Sequence, residues 1–297
     1  MHFLRRRFRG PQSSPARTWN FHSFQSHLIT GLFLVTLGTG TILGVDPFFS
    51  DSTAEAQQRT SQNKGVKQTP IKTVKTSVLD EPLRLLWKGH QTYQKVQDYS
   101  CTMVKQERVG GKLQQEHVMD VKFRNTPFSI SMKWRSPKSF EGQEVVYVHG
   151  RNKNHMRVKK AGFVGRFGFV SIDPNSALVK QHSRHTITEA GLANLIARIY
   201  RDWYRERNYN RAQVKIGEYR FNKQPCTRIE VTQTQRTKDV YCYRTVLYLD
   251  KTTRIPVRLE CYDWPRQGGP AGGEVLEIYS YLNVRYNVQL TDADFNK

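Results

Sequence analysis

Four histidines lie in or beside one stretch of the chain, and histidine serves both as a metal ligand and as a general base. His182 and His185 are three residues apart, and His149 and His155 precede them. Two chemistries follow from this pattern: a metal site assembled from the stretch, or a hydrolase with a histidine base. The chain contains neither a Gly-x-Ser-x-Gly elbow nor a His-Glu-x-x-His motif. We therefore predict no catalytic residue, no metal and no cofactor, and keep the hydrolase as the last of three functional hypotheses.

The cysteines offer redox chemistry instead. No two of the 4 cysteines have the short spacing of a zinc site. If the late hairpin turns at Asp250–Thr253, Cys242 lies opposite Cys261 and Val246 lies opposite Val257. Cysteines in such a pair are close enough for a disulfide, while two buried reduced thiols would fit the same pattern. Both alternatives stay open, and Cys242 and Cys261 are our disulfide candidates.

An apolar run near the start decides where this chemistry takes place. Leu28 to Val45 carries no charge, and the 27 residues before it contain five arginines and no acid. Export machinery recognises that combination. Ala54, Glu55 and Ala56 match the small-x-small rule for cleavage. Residues 1–56 are thus predicted as either a cleaved signal peptide or an uncleaved anchor, which makes the protein periplasmic or attached to the inner membrane.

The charge of the chain limits its partners. The formal net charge is +22, and only five basic and three acidic residues lie in the first 56, so an excess of about +20 belongs to the exported part. Such an excess attracts anionic partners without specifying them. Export separates the protein from nucleic acid, which we do not expect as a partner. Residues 57–76, rich in Ser, Thr, Gln and Lys, are predicted as a disordered linker, and 77–297 as one domain.

Hydrophobic periodicity predicts the elements of this domain. A helix begins at an Asp80 N-cap and carries an apolar stripe to Val96. Alternating residues then indicate antiparallel strands, with Gly110 and Gly111 in a hairpin turn. Gly150–Arg184 is predicted as a long surface loop with exposed aromatic residues, either a lid or a packed loop. Further strands are predicted at Val214–Phe221, Cys226–Gln233, Val240–Leu249, Ile255–Tyr262 and Leu276–Val288.

A second helix follows a capping box formed by Thr186 and Glu189. Its apolar stripe contains Leu192, Ile196 and Trp203, and it should end near Asn208. Together with the inner face of the sheet, this stripe either encloses an apolar cavity suited to acyl chains or forms a dry core. The candidate lining residues are Phe128, Ile130, Met132, Trp134, Tyr147, Val246, Val257, Leu259, Leu192, Ile196 and Trp203.

This order of elements resembles the lipoprotein-carrier superfold of the LolA and LolB type. Four passages carry the resemblance: DYSCTMVKQERVGGKL, RHTITEAGLANLI, LYLDKTTRIPVRLECYDW and the terminal LTDADF. Together they are similar to a family of exported bacterial proteins known only as a domain of unknown function. The resemblance covers Leu79 to Phe295. It implies an α+β fold in which a strongly curved, open antiparallel β-sheet, a half-barrel, wraps around two or more helices.

Three hypotheses result. The first is a non-enzymatic cell-envelope protein that binds or carries a lipid or a lipidated protein in the concave apolar face of its sheet. The second is an envelope interaction or sensor domain that binds a protein or an anionic polymer through its basic surface. The third is the hydrolase that uses His182 and His185.

Overall fold

The computed structural model describes residues 76–297. The predicted signal segment 1–56 lies outside the described residues, as does the predicted linker 57–76 apart from Thr76. Within residues 76–297, no helix is long and apolar enough to cross a bilayer. The helices are α1 (Asp80–Tyr93), α2 (Ala177–Lys180) and α3 (Leu192–Glu206). The strands are β1 (Asp98–Val109), β2 (Lys112–Leu113), β3 (His117–Arg124), β4 (Ser129–Ser136), β5 (Glu144–Val148), β6 (Met156–Lys159), β7 (Val170–Ile172), β8 (Ala212–Phe221), β9 (Gln224–Gln233), β10 (Arg244–Asp250), β11 (Pro256–Tyr262) and β12 (Val275–Tyr286).

These strands form one antiparallel sheet of 12 strands. Its order is β7-β6-β5-β4-β3-β1-β12-β11-β10-β9-β8, and β2 pairs with β1 across the predicted Gly110–Gly111 turn. The sheet does not close, because β7 and β8 stand at its two edges. The centre is the pairing of β1 with β12, which joins the two ends of the domain's chain. The predicted α+β fold, an open antiparallel sheet with helices, is confirmed.

Both longer helices contribute to the main core. The predicted stripe of α3 is buried, with Leu192, Ile196 and Trp203 all at most 3% exposed. These side chains share a cluster with Leu83 and Leu86 of α1 and with one face of the strands. The two helices also touch each other, and the rings of Trp87 and Tyr200 lie 6.0 Å apart. One amphipathic helix would leave this wide apolar face open to water, so both are needed to cover it.

Several predicted boundaries are wrong, for identifiable reasons. Asp80 is the first residue of α1 and not its cap; its carboxylate accepts hydrogen bonds from Ser77 N and from Arg207. The Thr186–Glu189 box exists, with Thr186 N donating to Glu189 Oε2 at 2.8 Å, but it encloses a 3₁₀ turn. Helix α3 begins only after Gly191 and ends at Glu206. The predicted Val240–Leu249 strand begins at Arg244, so Cys242 precedes it.

The segment Gly150–Arg184 is not a single loop. It adds β6 and β7 to the sheet, then the single turn of α2. The connection between β6 and β7 includes the residues Gly162–Gly168, which we name the Phe loop. Strands of three or four residues have too little periodic pattern to be recognised against the surrounding glycines.

Helix α1 packs tightly against the turn between β10 and β11 at Gly89. A Cβ atom at this position would collide with the backbone carbonyl oxygen of Arg254. We expect Gly89→Ala to destabilise the protein by about 1–3 kcal/mol, as overpacking does, measured by urea unfolding. Gly217→Ala is the matched control: this β8 glycine is exposed and its Cβ would meet nothing within 4 Å. Equal stability of the two variants would contradict the close packing of α1 on the turn.

Candidate functional site

The predicted lining residues divide between two faces of the sheet. Ile130, Trp134, Tyr147, Leu259, Leu192, Ile196 and Trp203 lie in the main core under the helices, with Phe128 and Met132 packed against it. Val246 and Val257 lie in a separate cluster with Cys226 and Tyr248. Since neighbouring residues of a strand point to opposite faces, that cluster covers the side of the sheet away from Leu247 and Leu249. The prediction that Val246 and Val257 share the inner face is wrong.

A register error explains this result. In the structure Thr245 faces Cys261 and Val246 faces Glu260, three residues from the predicted pairing of Cys242 with Cys261. The turn is wider than predicted, because Leu249 pairs with Pro256. A bulge then leaves Val257 without a partner, as Tyr248 pairs with Arg258. Ile255 and Leu259 consequently both reach the main core, and Val257 does not.

Cys242 and Cys261 nevertheless meet, although not as cross-strand partners. All four cysteines are free thiols and buried in the structure. The neighbouring Cys261 lowers the pKa of the Cys242 thiol, and Cys242 together with burial raises the pKa of Cys261. The Cys242 Sγ also lies 3.2 Å from Thr245 Oγ1. The chain enters β10 from an irregular segment at Val240–Tyr243, which turns Cys242 toward the core.

Both thiols line a cleft between α3 and strands β9 to β11. Its apolar wall includes Ile199, Trp203 and Leu259, and its polar wall includes Arg198 and Tyr241. The cleft is small. Its volume of about 30 Å³ has room for two or three waters, since one water needs roughly 10–15 Å³ on this measure. An acyl chain does not fit into a space of this size.

A buried charge cluster lies beside the cleft, at the middle of the sheet. Glu107 of β1 and Glu277 of β12 face each other across the strand pair. They are 3% and 0% exposed, respectively. Carboxylates so deep in a protein require cations and hydrogen-bond donors, since an unpaired buried charge is costly.

Glu277 obtains its partners from α3, from the segment that leads to α3 and from the irregular segment before β10. His185 Nε2 lies 2.7 Å and Tyr241 Oη 2.8 Å from Glu277 Oε2. Arg198 Nη2 of α3 lies 2.9 Å from Glu277 Oε1 as an ion pair. Burial would raise the pKa of Glu277, but Arg198, His185 and Tyr241 outweigh it and hold this pKa well below its usual range.

Glu107 is satisfied by a second set of donors. Its Oε2 accepts from Lys105 Nζ at 3.1 Å, from Ser183 Oγ at 3.0 Å and from Arg184 N at 3.3 Å. Tyr279 donates its hydroxyl hydrogen to Glu107 Oε1. The two carboxylates thereby tie the segment Ser183–His185 to the centre of the sheet.

His182 and His185, the histidines of the hydrolase hypothesis, have different surroundings. His182 is exposed, whereas His185 is held by Glu277 and lies 3.7 Å from Glu189 through Nδ1. Burial would lower the pKa of His185, but Glu189 and Glu277 outweigh it and raise this pKa. In the part of the chain that the structure describes, no cluster of three or more His, Cys, Asp or Glu residues could hold a metal ion.

The buried cluster was missed at the sequence level. Glu277 stands in the strand VLEIYSY, where a lone acid between Leu276 and Ile278 breaks an otherwise apolar and aromatic pattern. Glu107 lies on the face of β1 that also carries the buried Cys101 and Met103, at a position where an apolar residue is expected. A charged residue at an inward-facing strand position could have indicated this cluster from the sequence. It does not reveal which cation pairs with the carboxylate.

The Phe loop is the other conspicuous feature of the surface. Phe163, Val164 and Phe167 are 68%, 56% and 79% exposed. An open groove next to the loop is lined by Lys159, Lys160, Arg166, Phe169 and Glu141. Contiguous apolar groups in water usually mark a place of interaction.

Removing the charge of Glu277 should change stability in a pH-dependent way. The stabilisation by Glu277 is present above pH 4.5, its ordinary pKa, and is lost as the pH falls through its lowered pKa. The stabilisation by His185 is present below pH 6.5, its ordinary pKa, and is lost as the pH rises through its raised pKa. We expect Glu277→Gln to lower the free energy of unfolding most between pH 4.5 and 6.5, by about 3–5 kcal/mol.

Urea unfolding over a pH series measures this difference. Glu218→Gln is the control, because Glu218 lies on the surface of β8 and pairs only with Lys251 among the described residues. A difference between Glu277→Gln and wild type that does not vary with pH would contradict the ion-pair account.

Comparisons with known proteins identify a family but no activity. A search of curated proteins finds no match. Among solved structures, the chain is similar to a DUF1329 family protein from Desulfovibrio piger, with 16% identity, 74% of this chain and 98% of that chain covered, and a TM-score of 0.36. It is also similar to the lipoprotein LppX from Mycobacterium tuberculosis, with 10% identity, 71% and 98% covered, and a TM-score of 0.42.

A LolA superfamily protein from Nitrosomonas europaea is a third similar structure, with 11% identity, 72% and 96% covered, and a TM-score of 0.31. Similarities at this distance transfer no function to the chain. The family comparison is stronger, because one model matches most of the domain, over residues 96–297. The predicted membership in a family of unknown function is thereby confirmed: the chain belongs to the family described as "Protein of unknown function (DUF1571)".

Proposed function

We propose that this chain is an exported, non-enzymatic protein of the cell envelope that binds an anionic partner through the segment 150–184. The distribution of charge carries this proposal. Residues 76–297 contain 37 Lys and Arg against 22 Asp and Glu, an excess of 15. The segment 150–184 alone contains eight basic residues and one acid, an excess of seven. Nearly half of the excess positive charge therefore lies in about a sixth of the domain.

The cations of this segment are available to a partner. Lys153, Lys160, Arg166 and Lys180 are exposed, and none of them forms an ion pair with a described residue. Arg184, by contrast, lies 3.5 Å from the buried Glu277. Like charges gathered at one edge of a sheet raise the local potential and attract anions. The edge formed by β6 and β7 is therefore the binding surface that the geometry favours.

The other two hypotheses receive less support from the structure. The hydrolase would need His185 as a base, but its Nε2 lies between Glu277 and Arg198, 2.6 Å from Arg198 Nη1. Carriage of a lipid inside the fold would need a chamber that the narrow cleft under α3 does not supply. It would require α3 to leave the sheet, against the ion pair of Arg198 with Glu277. Lipid carriage stays a prediction.

Binding to a soluble polyanion tests the proposal. We expect the full chain, kept in mild nonionic detergent, to bind fluorescent polyphosphate, and expect the affinity to fall steeply with added salt. Lys160→Glu with Arg166→Glu should weaken binding by about tenfold or more, because each change reverses a charge at the surface. The matched control is Lys215→Glu with Arg220→Glu, the same charge change on β8 at the opposite edge of the sheet.

Two results would contradict the proposal. One is an affinity that does not depend on salt. The other is an equal loss of affinity in both double variants, because the net charge of the whole chain would then suffice and the basic segment would have no special role.

We further propose that export leaves Cys242 and Cys261 joined as a disulfide. A thiol–disulfide oxidoreductase of an oxidising compartment would accept two electrons from the pair, with loss of both thiol protons, as the sulfur–sulfur bond forms. Digestion of the protein from its exported fraction without reductant, followed by mass spectrometry, should yield a linked peptide pair containing these two residues. Cys101 and Cys226 should be alkylated as free thiols after unfolding. A Cys242 that is alkylated as well, with no linked peptide, would contradict the pairing.

A further inference from the structure

The Phe loop displays two aromatic rings that make no contact with the core. Phe163 and Phe167 lie in the 3₁₀ turn Phe163–Phe167, with their ring centroids 5.8 Å apart and their planes at 82°. They pack on each other, and the Arg166 guanidinium lies 5.3 Å from the centre of the Phe163 ring. Burial of either ring in the chain's own core would remove it from water, yet the fold holds both outside.

The backbone of this loop is built to keep them there. Gly162 and Gly168 bound the turn at φ +66° and +87° with ψ near −150°, a region open essentially to glycine alone. Gly165 N donates to Gly162 O at 3.1 Å, and Gly168 N donates to Gly165 O at 3.2 Å. A Cβ on Gly165 would collide with the backbone carbonyl oxygen of Lys160. The three glycines thus fix the backbone of the loop in one conformation, and this conformation keeps both rings exposed.

The two ends of the loop are open to solvent. A Cβ on Gly162 or Gly168 would meet no atom within 4 Å. The apolar tip of the loop therefore protrudes from the domain. A protruding tip can insert into a lipid phase, whereas a peptide partner would need a cleft to bind in. Aromatic side chains with adjacent cations are the combination found where proteins lie in the interface of a bilayer.

The cations beside the loop match the charge of such a surface. Lys159, Lys160 and Arg166 line the adjacent groove, while the acid in it, Glu141, is paired with Lys138 at 2.7 Å. Lys159 is also 3.5 Å from Glu144, which leaves Lys160 and Arg166 as the cations free of described ion pairs. Phosphate groups of anionic lipids would meet these two cations when the rings enter the membrane.

We propose that the Phe loop inserts Phe163 and Phe167 into the interfacial region of an anionic phospholipid bilayer, with Lys160 and Arg166 contacting the headgroup phosphates. This inference rests on the proposed function, since it gives the anionic partner of the basic segment a chemical identity. A soluble polyanion would use the same cations but would supply no apolar phase for the two rings. The rings therefore distinguish a membrane from a polymer.

Hydrogen exchange of the full chain, read by mass spectrometry with and without vesicles, tests the insertion at the loop itself. The apolar run Leu28–Val45 can bind any bilayer, so a local measurement is required. We expect peptides covering residues 160–170 to be protected by phosphatidylglycerol vesicles and not by phosphatidylcholine vesicles. Phe163→Ser with Phe167→Ser should abolish this protection, because the loop loses the apolar groups that enter the interface. The control, Ile216→Ser with Tyr219→Ser, removes two exposed apolar residues of β8 and should leave it unchanged.

The outcomes separate the two proposals. The insertion is overturned if the wild-type loop remains unprotected on phosphatidylglycerol vesicles, if phosphatidylcholine protects it equally, or if the Phe163 and Phe167 double variant keeps full protection. If polyphosphate binding nevertheless depends on salt and on Lys160 and Arg166, the anionic-partner proposal survives that result. Since the wild-type measurement needs no variant, a folding defect in the double variant cannot obscure the answer.

Discussion

The two facing carboxylates at the centre of the sheet are the constraint on which the domain depends. Glu107 and Glu277 are paired across β1 and β12, in the strand pair that closes the domain's chain on itself. Both are buried, and buried charges persist only when cations and donors surround them. Arg198 of α3, together with Ser183, Arg184 and His185, supplies these partners, so the helix and the segment before it must lie over the centre of the sheet. The close packing of α3 on the sheet follows from this attachment.

The same electrostatics divides the positive charge of the protein into two parts. In the interior, Arg198 and its neighbours are balanced by carboxylates and hold the structure together. At the edge formed by β6 and β7, Lys160 and Arg166 have no such balance, and they stand beside the exposed rings of the Phe loop. The cations that the core requires are paired with carboxylates, and the core does not require the unpaired cations at this edge. The second group is the one that we propose binds a partner outside the chain.

Periodicity predicted the elements that have one apolar and one polar face. The stripe of α3 and the alternation of Ile130 and Trp134 in β4 are both found where expected, because burial of one face selects the spacing. The β10–β11 register was wrong, because a wider turn and a bulge at Val257 shift it by three residues, and neither changes the local pattern. That error placed Val246 and Val257 on the wrong face. The site was predicted less well, since Glu107 and Glu277 come from strands 170 residues apart in the chain.

The sequence by itself determined the family, the antiparallel class of the sheet, the amphipathic helices and the excess of positive charge, because each depends on residue types and on short spacings. Only the tertiary structure decided which cations are neutralised and which remain free, how Cys242 meets Cys261, and that the exposed aromatic residues predicted for Gly150–Arg184 include Phe163 and Phe167 of one short turn. These properties depend on contacts between segments far apart in the chain. Local spacing contains no information on the register and bulges that bring such segments together.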